Sequence, residues 1–181
     1  NAGGTQATTL EKAQTISSKT TNISKLIEVL GGHVRELSTN IGERSVLRGD
    51  GLDRAAAYVR ETFEAAGLTV TDQAYEYEGR WVVNLIADPP GAEANAVPYI
   101  IGAHYDSVID TPGADDNASA VAVMLELARR TTIKPPKLPL RFVAFTLEEP
   151  PTHATRHQGS RVFVKRLTED GGQVAGAIIL E

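Results

Sequence analysis

The sequence predicts an α/β domain: a mixed sheet with a predominantly parallel centre, an antiparallel N-terminal hairpin, and helices on both faces. Three observations point there. Before residue 67 two stretches carry apolar residues at helical spacing, and the period then changes to two on either side of a Glu78-Gly79-Arg80 turn. Three later apolar runs, 97–103, 140–147 and 175–180, show no alternation, as expected of strands buried on both faces. Helical patterns at 117–130 and 159–167 separate those runs, which is how parallel strands are connected.

Residues 1–19 are rich in Thr, Ser, Gly and Gln with little apolar periodicity, which suits a mobile arm. Ile23, Leu26, Ile27, Leu30, Val34 and Leu37 then recur at helical spacing, and Gly31-Gly32 is expected to break or kink that helix. Leu52, Ala55, Ala56, Val59, Phe63 and Ala66 mark one face of a second helix, with Gly67 as its stop. Leu68, Val70, Ala74, Tyr75 and Tyr77 read as one strand and 81–86 as the next, closed by Pro89-Pro90-Gly91. In the helix over 117–130, Ala120, Val121, Val123, Met124, Leu127 and Ala128 form the expected buried side. Pro135-Pro136 and Pro139 stiffen the entry to the 140–147 run. Residues 150–157 read as a loop, Gly159-Ser160 opens the last helix, and Gly171-Gly172 turns the chain towards 175–180.

A chain of 181 residues, 41% hydrophobic, supplies the core of one domain or of part of one. Its formal net charge of −5 argues against a nucleic-acid or anionic-membrane partner that needs a basic surface. No apolar run reaches the roughly 18 residues that span a bilayer. With no cysteine, disulfides, thiolate ligands and a cysteine nucleophile are excluded, so any metal must use His, Asp and Glu.

The three unalternating runs lead into His104, Glu148-Glu149 and Glu181. In an open α/β sheet ligands bind beyond the carboxyl ends of the strands, and an imidazole among carboxylates can hold a divalent ion beside a carboxylate base. Asp106 lies two residues beyond His104, on the same face if the strand continues, where it can accept the free ring N–H. Asp115-Asp116 can be read as a helix cap or as metal ligands, since one carboxylate has two oxygens and can bridge two ions. Adjacent Glu148 and Glu149 serve one cavity only if the chain turns there, a turn that Pro150-Pro151 suggests. His33 reads as a surface helix residue, and His153 and His157 as loop residues near the mouth.

From about residue 23 onward the sequence resembles the N-terminal portion of the co-catalytic dizinc aminopeptidases. These are the bacterial leucyl aminopeptidase-like zinc exopeptidases, whose relatives include glutamate carboxypeptidase and the glutaminyl cyclases. The resemblance rests on Gly102-Ala-His-Tyr-Asp-Ser107, Pro112-Gly-Ala-Asp-Asp-Asn-Ala-Ser119, Leu140-Arg-Phe-Val-Ala-Phe145 with Glu148-Glu149, Gly159-Ser160, and Ala177-Ile-Ile-Leu-Glu181, all in order.

It implies the phosphorylase/hydrolase-like three-layer zinc-exopeptidase fold, C-terminally truncated, and hydrolysis of the amino-terminal residue of a peptide substrate with two zinc ions. By the same resemblance His104 binds one zinc, Asp115 bridges both, Glu149 and Glu181 are further ligands, and Glu148 is the general base with Asp106 orienting the imidazole. Asp is usual in the family where Glu181 stands. A cis peptide, costing about 3–4 kcal/mol, is expected between Asp115 and Asp116. The family's final histidine ligand has no counterpart, so the 181-residue chain alone is expected to be inactive. Family members are frequently exported, which leans the location towards secreted or periplasmic. A carboxypeptidase, a glutaminyl cyclase and a noncatalytic relative are alternatives on the same fold.

Overall fold

The structure, a computed structural model, describes residues 21–93 and 96–181, so the expected arm over 1–19 lies outside the described residues. Helix α1 covers 21–35 and ends in a wider turn, Glu36–Ile41, closed by the Gly42 N–H on the Leu37 carbonyl. Gly31-Gly32 does not break it. Each glycine costs a helix about 1 kcal/mol, and the wholly buried Leu37 anchors the far end in the core. Only that end of the predicted stripe is covered, since Ile23 and Ile27 are exposed.

Helix α2, Gly51–Ala65, buries Leu52, Ala55, Ala56, Val59 and Phe63 as its spacing predicts. Gly67 stops it with φ +91°: its N–H bonds the Glu64 carbonyl while the Leu68 N–H reaches that of Phe63. Those paired bonds satisfy two carbonyls left open at the helix end. The chain then runs into β1, Thr69–Tyr77, and β2, Arg80–Asp88, paired antiparallel with Tyr77 opposite Arg80. Glu78 and Gly79 both have positive φ, the turn geometry whose twist matches a two-residue hairpin.

Strand β3 is Tyr99–His104, and the turn Ala114–Ser119 leads from its loop into helix α3, Ala120–Ile133. Strand β4 is Leu140–Phe145, helix α4 is Gly159–Glu169, and strand β5 is Gly176–Ile179. The sheet order is β1-β2-β4-β3-β5, antiparallel across β1-β2-β4 and parallel across β4-β3-β5. The larger core packs α2 and α3 on one face of the sheet. Ile100, Val143, Phe145 and Phe163 form a smaller core beneath α4 on the other face. Gly102 lets Phe145 lie close, because a Cβ there would stand 2.6 Å from that ring.

Two packing expectations are corrected. Val123 and Leu127 are exposed, and α3 instead buries Ala122 and Leu125 beside Val121, Met124 and Ala128. The buried face is therefore rotated towards β3 and α2, and no described element covers the other flank. Strand β5 is not buried on both faces: Ile178 and Ile179 are 57% and 54% exposed, because β5 is the sheet edge and pairs only with β3 among the described residues. Among the described residues no helix is long and apolar enough to cross a membrane.

Candidate metal centre

His104 is the last residue of β3, and its side chain is 2% exposed. Its Nε2 lies 3.1 Å from Asp116 Oδ1 and 3.6 Å from Glu181 Oε1, while Nδ1 lies 3.3 Å from Asp106 Oδ1. Neither ring nitrogen makes an aligned hydrogen bond. Donor atoms of His104, Asp116 and Glu149 lie within 4.8 Å of one another, as do those of His104, Glu148 and Glu181. The end of β3, the loop after β4 and Glu181, two residues past β5, therefore converge at the carboxyl edge of the parallel strands.

Asp115 is the expected member that the structure does not bring in. Its neighbour Asp116 stands against His104, and the cis peptide falls between Asp116 and Asn117, one residue later than expected. Asp115 is exposed and presents its main-chain carbonyl to the Ser119 hydroxyl at 2.9 Å. In the distorted turn Ala114–Ser119 the side chain that reaches the strand end is the second acid, a choice that the two identical letters do not reveal.

Glu148 and Glu149 do share one cavity, and the turn that allows it lies before them. Leu147 has φ +54°, a left-handed conformation unusual for a branched residue and held by burial and by the Thr152 hydroxyl on its carbonyl. Asp106 completes the turn: Oδ1 accepts the Glu148 N–H at 3.1 Å and Oδ2 the Glu149 N–H at 3.0 Å. One carboxylate thus ties the loop after β3 to the loop after β4 and touches the imidazole as well.

Residues 84–180, just over half of the chain, match Peptidase family M28. The chain belongs to that family. The uncharacterized protein YfbL of Escherichia coli is 40% identical over 148 residues, 77% of this chain and 45% of that protein. Aminopeptidase YwaD of Bacillus subtilis is 51% identical over 49 residues, 27% of this chain and 11% of its own length. The solved glutaminyl cyclase of Porphyromonas gingivalis shares the fold, with a TM-score of 0.70 at 22% identity, over 84% of this chain and 57% of that one. The chain spans less than half the length of these two curated relatives.

In this M28 chain the converging groups fit a divalent cation. Asp106, Asp116, Glu148, Glu149 and Glu181 surround one imidazole, and carboxylates gathered in a partly buried site repel one another unless a cation lies among them. Burial pushes the Glu149 carboxyl up to about 7, with the Asp116 carboxylate adding to the effect and His104 opposing it. Burial works against a charged His104, but Asp106, Glu148 and Glu181 outweigh it and raise the imidazole to about 9. The unpartnered His104 nitrogens and Glu149 Oε1 are buried donor positions of the kind zinc takes.

Three side chains shape the site beyond those that the sequence assigns to it. His153 Nδ1 lies 2.9 Å from Glu148 Oε1, and Gln158 Nε2 donates to the same oxygen at 3.0 Å, leaving Oε2 for other partners. The sequence reads His153 as a loop residue near the mouth and gives it no partner. The third is Arg44, wholly buried behind the His104 loop. Glu43-Arg44-Ser45 reads as a surface tripeptide with no periodic signal, so nothing in the letters separates this arginine from solvated ones. His33 is half-buried, with Nδ1 2.6 Å from the Tyr58 hydroxyl between α1 and α2, and His157 packs edge-on against Tyr77.

Proposed function

We propose that the protein carrying this chain is a zinc aminopeptidase, removing the amino-terminal residue of peptides. The observation that carries the reading is the convergence of Asp116 and Glu181 oxygens on a buried, unpartnered His104 Nε2, with Glu149 within donor distance of the same group. His104, Asp116, Glu149 and Glu181 are the residues that would hold zinc, with Asp116 standing where the resemblance implies Asp115. Zinc bound there supplies Lewis acidity, polarising a carbonyl and acidifying a water.

Glu148 is the proposed base. It takes the proton of the attacking water and hands it to the departing amine, the cycle expected of a positioned carboxylate. Its Oε1 is already engaged by His153 and Gln158, which fixes the carboxylate and leaves Oε2 to exchange the proton. Asp106 holds base and ligand on one side of the chain through their main-chain N–H groups. The exposed acids Asp116 and Glu181 favour the ammonium of a free amino terminus over a blocked one.

The test uses the whole protein on aminoacyl nitroanilides, with the N-acetylated substrate and an N-terminal glutaminyl peptide beside them. Hydrolysis of the free-amine substrates, lost with a chelator and restored by zinc, is the expected result. Equal turnover of the acetylated substrate contradicts the aminopeptidase assignment, and cyclisation of the glutaminyl peptide without hydrolysis assigns the protein to cyclase chemistry.

A further inference from the structure

The loop between β3 and the Asp116 turn is held from behind by one side chain. The Arg44 guanidinium donates from Nε to the Tyr105 carbonyl at 2.7 Å and from Nη2 to that of Gly113 at 2.8 Å. Its Nη1 is shared among the carbonyls of Pro112 at 2.6 Å and of Leu37 and Gly42 at 3.0 Å each. The Arg44 N–H donates to Ser107 Oγ at 2.9 Å. A planar fork with donors at fixed angles can serve several carbonyls at once, which a single ammonium cannot.

The placement of those acceptors matters more than their number. Tyr105 follows His104 directly, and Gly113 opens the turn that carries Asp116. Gly113 has φ +52°, and a Cβ there would lie 2.6 Å from Arg44 Nη2 and 2.5 Å from the Asp116 carbonyl oxygen, so guanidinium, glycine and metal turn are packed without slack. Leu37 and Gly42, at the end of α1, are the fixed side of the clamp. Arg44 itself lies before residue 84, outside the family match.

We propose that Arg44 is a positioning residue of the metal centre: by fastening both ends of the 105–113 loop to the end of α1 it fixes the separation of His104 and Asp116 and so sets zinc affinity. The proposal rests on the zinc reading above. Charge and geometry pull in opposite directions here. A buried cation near Asp106, Asp116 and Glu149 repels zinc, whereas the correct spacing of the donors favours it. Lysine keeps the charge and loses the fork, so Arg44→Lys isolates the geometric part.

The experiment is a calorimetric titration of the whole protein with zinc alone, for the wild type, Arg44→Lys and Ser107→Ala, beside amide exchange of the zinc-free proteins. In Arg44→Lys a Kd weakened at least tenfold is expected, with faster exchange over 105–113 and unchanged exchange in the β1-β2 hairpin. Ser107→Ala removes one anchor only and is expected to weaken zinc two- to threefold, a result that decides the matter should Arg44→Lys not fold. A wild-type Kd in the folded variants overturns the proposal, and faster exchange with an unchanged Kd does so too, since it leaves Arg44 a stabilising role alone. A wild type that binds no zinc overturns the zinc reading itself.

Discussion

Glu148→Gln is expected to lower kcat of the whole protein on aminoacyl nitroanilides at least a thousandfold, with KM nearly unchanged and zinc retained. The amide keeps the shape of the carboxyl group and an oxygen that His153 and Gln158 can still hold. What it loses is the capacity to take a proton, and a positioned base contributes on the order of 10²–10⁴ in rate. Glu148 stands outside the His104, Asp116, Glu149 group but within 4.8 Å of donor atoms of His104 and Glu181, so zinc content is the control that separates loss of base from loss of metal. Activity within tenfold of the wild type in the zinc-loaded variant places the base elsewhere.

The second large effect falls on zinc itself. His104→Ala and Asp116→Asn are each expected to weaken zinc binding at least a hundredfold, whereas Asp115→Asn leaves it within about twofold. The difference between the two aspartates follows from their placement. Asp116 Oδ1 is 3.1 Å from the imidazole, while Asp115 is exposed and contributes its main-chain carbonyl to the Ser119 hydroxyl. Competition for zinc against a chromogenic chelator reads all three variants in one assay. Equal losses at Asp115 and Asp116 mean that the turn rearranges when it takes the ion.

The sheet and the positions of the strand ends were legible because their signals are local. Period-two residues around Glu78-Gly79, the Gly67 stop, and unalternating runs ending at His104 and before Glu148 each follow from backbone geometry over a few residues. The misreadings arose where tertiary context decides. Gly31-Gly32 carries a helix-breaking propensity that anchoring at Leu37 overcomes. Val123 and Leu127 fit the helical period equally well whether or not anything covers them. The bend that lets Glu148 and Glu149 share a cavity sits at Leu147, where no glycine or proline announces it.

The metal centre divides the same way. Which residue types gather was readable from the motifs, but which of two adjacent aspartates stands against His104 depends on a distorted turn: the resemblance implies Asp115, and the structure places Asp116 there. Arg44 was invisible because its partners are five main-chain carbonyls, and every residue has one. The Asp106 clamp was half-read: its reach to His104 follows from strand alternation, but its grip on two N–H groups after β4 requires the parallel pairing of β3 with β4.

The central claim is that the ends of β3, β4 and β5 meet around one cation, and X-ray absorption at the zinc edge of the 181-residue chain loaded with one equivalent tests it most directly. The account predicts one imidazole with carboxylate oxygens at about 2.0 to 2.2 Å, and loss of that imidazole signal in His104→Ala. Two or more imidazoles, or a spectrum that His104→Ala leaves unchanged, would place the ion among His33, His153 or His157 and contradict the account.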